Sequence, residues 1–330
     1  MALVRNFVNG DAGCLVRVTG PYFGFQSYFE PCKMPPSLLV DPLTCGEDLL
    51  QNAARISELA PEHCVGCADY HIRSAAHRCA PVPKGIGFDR PELITLVKQM
   101  LAEMTSIAGS IDILIPGSAD TGVLATAGHA AAMLGPAVLD RCRFTVIDRC
   151  PTPLILCREF GARHHLDVDT VQSDLVTTSR RFEADLILVH SVFRFVERAD
   201  QVKLLNILGS WLTATGRLIL SNRLRLDATL ETESEFRKRT AANLAIKEHF
   251  ATGALTTRES PQIVLERLQR AMTDGEGRPG ELQSLEDVRA LIAQSQLEEV
   301  NLKQLSWNVE INPGNSFMRH RVHAVLRRRY

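Results

Sequence analysis

Short apolar runs that alternate with helix-like segments constrain the fold of this chain more than any other feature of its sequence. From Ile111 onward the strongest runs are IDILIPG, RFTVID, ADLILVHSVF and GRLILSN, and a weaker strand is predicted at 168–175. Continuous apolar runs of this kind are typical of strands that are buried on both faces. Their alternation with helices predicts an α/β fold, in which a mostly parallel sheet is covered by helices on two sides.

The segments outside this sheet divide the chain into a core and two additions. Residues 1–90 are rich in Pro, Gly, Cys and aromatic residues, and we predict a cap or lid in which PYFGFQSYFEPCKMPP is irregular. Residues 91–226 and 281–330 form the predicted core domain. Between them, residues 227–280 show helix-like stretches and no strand pattern, which indicates a helical insertion that serves as a lid or as a dimer arm.

Composition and charge exclude several classes of protein. The chain has 330 residues, of which 45% are apolar and 23% are charged, as in an ordinary globular protein. Its formal net charge of −1 provides no general attraction to nucleic acid or to an anionic membrane. Because no long apolar run and no signal-like start are visible, we expect a cytoplasmic location. The odd number of cysteines, nine, favours reduced thiols over a disulfide framework.

A glycine-containing loop follows the first strong strand. Gly117, Ala119 and Gly122 in IPGSADTG form a G-x-A-x-x-G variant of the fingerprint that lets a backbone turn tightly against a nucleotide. Asp148 ends the next strand, where a carboxylate accepts hydrogen bonds from the ribose hydroxyls of an adenosine ligand. Asp174 ends the strand after that, so all three strand ends are expected to line one crevice. A nicotinamide-dependent dehydrogenase and a domain whose loop binds nothing are alternatives at this point.

The sequence resembles the class I S-adenosylmethionine-dependent methyltransferases over residues 93–330, apart from the insertion. The resemblance rests on ILIPGSADTG, FTVID, VQSDL, ADLILVHSVFRFV and LTATGRLILSN. It implies a Rossmann-like sheet of seven strands, mostly parallel with an antiparallel last strand, with helices on both faces. It also implies S-adenosylmethionine (SAM) as the cofactor. The methyltransferase interpretation is favoured over a dehydrogenase because the strands after Asp148 match the methyltransferase order.

The resemblance implies a place for each part of the cofactor. The methionine moiety lies over the glycine loop, the ribose on Asp148 and the adenine beyond the third strand of the core. In the loop, Pro116 and Gly117 stand where the family has an acid, and Ala119 replaces its central glycine. The residues expected to bind the cofactor are Gly117, Ser118, Ala119, Asp120, Gly122, Asp148, Arg149, Ser173, Asp174, Leu175, His190 and Ser191.

The end of the fourth core strand, VHSVFRF, is the expected place of the reaction. Transfer from a sulfonium needs in-line placement and removal of a proton from the nucleophile. His190 is the predicted base, because imidazole titrates near neutrality; alternatively, it only shapes the cofactor pocket. Phe193 and Arg194 are predicted to contact the substrate, and a solvated arginine is the alternative for Arg194. The Asn/Asp-Pro-Pro-Tyr/Phe sequence of enzymes that methylate a flipped base does not occur here.

The segment ADYHIR, which precedes the core, supplies further candidates. In the family that the chain resembles, segments before the first strand commonly fold over the cofactor and exclude water. Tyr70 and His71 are therefore candidate catalytic residues. Tyr70 and Arg73 are candidate substrate-binding residues. Packing within the cap is the alternative for each of them.

Cysteine and histidine residues are concentrated around that segment. Cys64-x-x-Cys67 has a spacing that zinc accepts, and a tetrahedral site can be assembled from Cys64, Cys67, His71 and Cys79. A single C-x-x-C pair is not specific for metal. The main expectation is therefore that no metal is bound and that the thiols are buried as small apolar groups.

These observations predict a SAM-dependent methyltransferase that acts on O or N of a small metabolite in specialised metabolism. The altered first loop supports an alternative, in which the aminocarboxypropyl chain of SAM reacts and methylthioadenosine is released. A non-catalytic SAM- or zinc-binding protein is a second alternative. The insertion makes a homodimer possible. Neither a membrane nor a nucleic acid is an expected partner, because the arginines at 319–329 flank an alternating apolar pattern, as on a solvated edge strand.

Overall fold

The computed structural model describes much of the chain, and every structural statement concerns the residues it describes. These are residues 4–10, 13–19, 28–31, 46–64, 67, 70–72, 74, 89–106, 109–226, 248, 251, 260, 262–263, 265–267, 280–312 and 315–329. The side chains of residues 1–51, 89 and 309–317 lie outside that description, as do Arg73, Cys79 and nearly all of 227–279. Among the described helices, none has both the length and the apolarity needed to cross a membrane.

A small antiparallel sheet lies near the start of the chain. It consists of β1 (Val4–Gly10), β2 (Gly13–Thr19) and β3 (Tyr28–Pro31), with β2 in the centre. The predicted irregular structure of PYFGFQSYFEPCKMPP is therefore wrong for Tyr28–Pro31. Local Pro and Gly content favoured a loop there, whereas pairing of β3 with β2 makes those residues a strand.

The main sheet has seven strands and contains the core. In the sheet their order is β6-β5-β4-β7-β8-β10-β9. The strands β4 to β8 run parallel, and β10 runs antiparallel to both β8 and β9. The Rossmann-like fold expected from the resemblance is confirmed. The strands are β4 (Ile111–Pro116), β5 (Cys142–Asp148), β6 (Asp167–Gln172), β7 (Ala184–His190), β8 (Leu212–Leu224), β9 (Leu297–Asn312) and β10 (Asn315–Arg328).

The direction of strand progression reverses at β4. From β4 the chain first adds β5 and β6 on one side, and then places β7 and β8 on the other. In open α/β sheets, a crevice opens at such a point beyond the carboxyl ends of the strands, and ligands bind there. The topology therefore places the glycine loop after β4 at the expected ligand site.

Helices cover both faces of the main sheet, and β7 shows how. Leu186 and Leu188 pack in a core cluster with α2, α3 and α5, whereas Ile187 and Val189 pack in another with α6 and α7. This two-sided burial accounts for the continuous apolar run of the strand. The helices are α1 (Gly46–His63), α2 (Asp89–Met104), α3 (Gly122–Ala132), α4 (Pro136–Leu139), α5 (Pro151–His164), α6 (Gln201–Ser210) and α7 (Leu285–Ala293).

The strand predicted at 168–175 is shorter than expected. It corresponds to β6, which ends at Gln172. The exposed carboxylate of Asp174 accepts hydrogen bonds from the backbone N–H groups of Val176 and Thr177 at 2.9 and 3.3 Å. An aspartate that binds the backbone two residues further on favours a turn over a strand.

Beyond residues 227–279 the chain rejoins the core through a tightly packed contact. Leu282 pairs with Leu224 at the end of β8. The buried side-chain amide of Gln201 donates to the carbonyl oxygens of Gly280, Phe193 and Val196 at 2.7, 3.1 and 3.4 Å. A Cβ atom at Gly280 would overlap the latter two carbonyl oxygens, so only glycine fits there.

Candidate functional site

The glycine loop after β4 makes a tight turn toward β5. Gly117 has a φ of 74°, a left-handed conformation that glycine adopts without strain. Its N–H donates to the carbonyl oxygen of Ile147 at 2.7 Å. Asp120 is buried, and its carboxylate accepts from the N–H of Gly122 at 2.7 Å, where α3 begins. The predicted loop residues 117–122 thus form one compact turn between the first two core strands.

Asp148 lies at the carboxyl end of β5 and faces this turn. Its two carboxylate oxygens accept hydrogen bonds from the backbone N–H of Ser118 at 3.0 Å and of Cys150 at 2.8 Å. Burial raises the pKa of the Asp148 carboxyl, and these two N–H groups oppose the shift because they stabilise its charged form. The site therefore holds a fixed carboxylate beside the glycine turn, as binding of a ribose diol requires.

The residues predicted near the adenine follow β6. The N–H of Ser173 donates to the carbonyl oxygen of Asp148 at 3.0 Å, which places Ser173 next to the end of β5. Leu175 packs against the core, and Asp174 is exposed in its own turn. Arg149 is exposed, and its carbonyl oxygen accepts from the Gln172 side chain at 3.2 Å. Of the three residues predicted near the adenine, Ser173 forms a backbone hydrogen bond with Asp148.

Helix α1, from the segment before the core, docks directly beside the glycine loop. The Asn52 amide donates to the hydroxyl of Thr121 at 2.9 Å, and both residues are buried. Arg55 forms an ion pair with Glu159 of α5 at 2.7 Å. A buried polar contact of this kind fixes α1 against the turn that precedes α3.

A polar cluster occupies the carboxyl ends of β7 and β8. Arg321 of β10 contacts the Nε2 atom of His190, the hydroxyl of Ser191 and the hydroxyl of Ser221, each at 3.1 Å. All three contacts involve the Nη1 atom of Arg321, so the guanidinium lies directly against the imidazole that was predicted to act as the base. The arrangement favours the pocket-shaping alternative for His190.

The position of Arg321 corrects one sequence-based interpretation. The arginines near the end of the chain were predicted to lie on a solvated edge strand, but β9 forms the edge and β10 lies between β8 and β9. Arg321 is half-buried and contributes to the candidate site. The alternation of Arg319, Arg321 and His323 was the available signal, since it places all three on one strand face.

Two of the predicted substrate-binding residues have structural partners. Phe193 is fully buried, and its side chain packs in the hydrophobic core beneath the candidate site. Arg194 lies 3.6 Å from Glu281, which also pairs with Arg225 at 2.6 Å. Arg194 is therefore tied to the segment that rejoins the core, and it is not a solvated arginine.

Tyr70 connects the segment before the core to the end of β7. Its ring lies edge-on to Phe195, with a centroid separation of 4.7 Å, and edge-on to His71 at 5.2 Å. The candidate residues Tyr70 and His71 are thus close to the strand ends that line the crevice. Arg73, the third candidate of this segment, lies outside the described residues.

The cysteine and histidine cluster has a different membership from the one predicted. The metal-binding atoms of Cys64, Cys67, His71 and Cys150 all lie within 4.8 Å of one another. Cys79, the predicted fourth member, lies outside the described residues. Cys150 was missed because it follows Asp148, far from the other three in sequence.

Replacement of Arg321 by methionine is expected to lower the free energy of unfolding by about 1–3 kcal/mol, because three half-buried or buried acceptors lose their donor. Urea denaturation followed by circular dichroism measures the loss. Arg327→Met is the matched control on the same strand, since Arg327 is exposed and pairs with Glu298. Equal effects of the two substitutions would contradict the polar cluster.

Comparisons with known proteins identify solved structures whose fold is similar to that of this chain. No protein-family model matches the chain, and no curated protein matches it. The N-methyltransferase NodS from Bradyrhizobium japonicum, solved with S-adenosylhomocysteine, is 17% identical, with 79% of this chain and 100% of that chain covered and a TM-score of 0.42. The mitomycin 7-O-methyltransferase MmcR is 15% identical, with 83% and 60% covered and a TM-score of 0.44.

A third solved structure has similar values. The O-methyltransferase family protein from Burkholderia thailandensis is 11% identical, with 78% of this chain and 58% of that chain covered and a TM-score of 0.44. This chain therefore spans less than two thirds of MmcR and of the Burkholderia protein. At these identities the likeness concerns the fold, so the function is argued from the residues of this chain.

Proposed function

We propose that this chain is a SAM-dependent methyltransferase that transfers a methyl group to O or N of a small metabolite. The observation that supports this most is the position of Asp148. Its carboxylate lies at the carboxyl end of β5, fixed by two backbone N–H groups, beside the left-handed turn at Gly117. An adenosine ligand needs an acid at this strand end for its ribose and a close backbone approach at the turn.

The residues of the chain then divide into three roles. Asp148 binds the ribose of SAM and the glycine turn orients its methionine moiety, whose sulfonium supplies an electrophilic methyl group. The polar cluster of Arg321, His190 and Ser191 lines the neighbouring strand ends. Tyr70 and Phe195 close the crevice with apolar surface. Methyl transfer depends mainly on placement of the nucleophile in line with the sulfonium, so orientation and exclusion of water are the main contributions of the protein.

The proposal of a small substrate is based on enclosure of the site. Helix α1 is fixed against the glycine loop by a buried hydrogen bond, and Tyr70 reaches the end of β7. A crevice covered in this way suits a small molecule better than a protein or nucleic acid. A cytoplasmic location, a homodimer and a role in specialised metabolism belong to the same proposal.

Isothermal titration of the folded protein with SAM and with S-adenosylhomocysteine tests the cofactor assignment. We expect both to bind with dissociation constants of about micromolar size, which corresponds to about 8 kcal/mol. NADH is the control ligand, because a dehydrogenase would bind it in the same crevice. Binding of NADH without binding of SAM would overturn the proposal.

Aminocarboxypropyl transfer is a second candidate, and the loop composition favours it. Pro116 and Gly117 stand where an acid is expected to hold the amino acid end of SAM, and the buried carboxylate of Asp120 binds the N–H of Gly122. Mass spectrometry of the products from SAM and a panel of small phenols, amines and carboxylates separates the two reactions. Methyl transfer releases S-adenosylhomocysteine, whereas transfer of the aminocarboxypropyl chain releases methylthioadenosine.

A further inference from the structure

Four metal-binding side chains from two distant parts of the chain converge beside Asp148. Cys64, Cys67 and His71 belong to the segment that follows α1, and Cys150 lies between β5 and α5. The Sγ atom of Cys64 is 3.5 Å from the Sγ atom of Cys150. The Nδ1 atom of His71 is 3.3 Å from the Sγ atom of Cys64 and 3.6 Å from that of Cys67.

These separations match the edges of a zinc tetrahedron. Zinc binds thiolate sulfur at about 2.3 Å and imidazole nitrogen at about 2.0–2.1 Å, so the edges of a tetrahedral site measure roughly 3.5–3.8 Å. Of the three distances given above, 3.6 Å lies within that range, 3.5 Å at its lower end and 3.3 Å slightly below it, and the other three separations are no longer than 4.8 Å. A set of three sulfurs and one nitrogen also binds zinc in preference to calcium or magnesium, which bind oxygen ligands.

Burial and hydrogen bonding distinguish the cluster from an ordinary group of apolar thiols. Cys67, His71 and Cys150 are buried, and Cys64 is half-buried. The Cys64 and Cys150 sulfurs contact each other, and the Nδ1 atom of His71 contacts the sulfurs of both Cys64 and Cys67. Thiolates close together in a buried position need a cation to compensate their charge.

We propose that Cys64, Cys67, His71 and Cys150 bind one zinc ion. Four protein ligands fill the tetrahedral coordination and leave no position for a substrate or a water molecule, which defines a structural site. The ion cross-links the segment before the core to the strand end that holds Asp148. The N–H of Cys150 donates to Asp148, so the metal also fixes the backbone that positions the candidate ribose carboxylate.

Metal analysis of the purified protein tests this proposal independently of SAM. We expect about one zinc per chain in the wild type and its loss in Cys150→Ala. Cys157→Ala is the matched control, because Cys157 is fully buried in α5 and does not belong to the cluster. Cys79→Ala tests the ligand that the sequence alone suggested. Both of these variants are expected to retain zinc.

Several results would overturn the proposal. They are a wild type without zinc, iron in place of zinc, or loss of zinc from Cys79→Ala with retention in Cys150→Ala. A mass lower by two hydrogens, without metal, would assign a disulfide to the cluster instead.

A second measurement uses only the wild type, in case Cys150→Ala does not fold. Alkylation with iodoacetamide, followed by peptide mass spectrometry, is expected to leave Cys64, Cys67 and Cys150 protected, and a chelator is expected to expose all three together. Cobalt(II) added to the metal-free protein is expected to give the intense visible bands of tetrahedral thiolate coordination. Independent alkylation of the three thiols, unaffected by chelator, would overturn the proposal.

Discussion

Replacement of Asp148 by alanine is expected to weaken the binding of SAM and of S-adenosylhomocysteine by about 10- to 150-fold, which corresponds to about 1.5–3 kcal/mol for hydrogen bonds to a charged group. The carboxylate is the group that fits a ribose diol at this strand end. Isothermal titration on the folded variant measures the change.

The control for this variant is a second aspartate on the adjacent strand. Asp167 is exposed at the amino end of β6, opposite to the candidate site, and Asp167→Ala is expected to leave cofactor affinity unchanged. Asp148→Ala also removes an acceptor from two backbone N–H groups, so thermal unfolding is followed in parallel to establish that the variant is folded. Unchanged affinity in a folded Asp148→Ala variant would contradict the ribose assignment.

Replacement of Gly117 by alanine is the second change with a large expected effect. A non-glycine residue in a sparsely populated conformation costs about 1–3 kcal/mol. In addition, a Cβ atom at this position would lie 2.7 Å from the Cγ2 atom of Val192. We expect a loss of stability of about 2–4 kcal/mol, measured by urea denaturation. We also expect cofactor binding to fall, because the turn moves away from Asp148.

Two further variants separate backbone strain from steric overlap. Gly135 also has a positive φ, 109°, but open space surrounds its Cβ position, so Gly135→Ala reports the strain alone. The double variant Gly117→Ala/Val192→Ala removes the side chain that alanine would meet. Its loss of stability is expected to be smaller than the sum of the two single losses. Strict additivity would show that the contact with Val192 does not limit the turn.

Local sequence patterns were sufficient to predict the central strands and the positions of the candidate site residues in the chain, whereas the number and order of the strands came from the family resemblance. The strands β4, β5, β7 and β8 each contain a short apolar run, so their places in the chain are visible without knowledge of their neighbours. Asp148 is the last residue of β5, so the apolar pattern that locates this strand in the sequence also locates the carboxylate at its end. The glycine loop was predictable for a similar reason, since β4 and α3 enclose it in sequence.

Two of the features that sequence analysis missed depend on contacts between residues that are far apart in the chain. Cys150 meets Cys64 across 86 residues, and Arg321 meets His190 across 131 residues. Nothing local to Cys150 distinguishes it from an ordinary buried thiol. The alternation of Arg319, Arg321 and His323 indicates a shared strand face, but it does not indicate which residues that face contacts. The N-terminal sheet was missed because its third strand is recognisable mainly through its pairing with β2.

The pairing of Leu224 with Leu282 has a consequence for how this fold can diverge. The chain segments before and after residues 227–279 are neighbours, because Leu224 pairs with Leu282. The hydrogen bond from the Gln201 side chain to the carbonyl oxygen of Gly280 holds the second segment in place. For a flexible loop, each doubling of length between fixed ends adds only about 0.6 kcal/mol of closure entropy. The main sheet therefore imposes almost no length on that segment. A segment of a different length can therefore replace it between Leu224 and Leu282 without a change in the order of the seven strands.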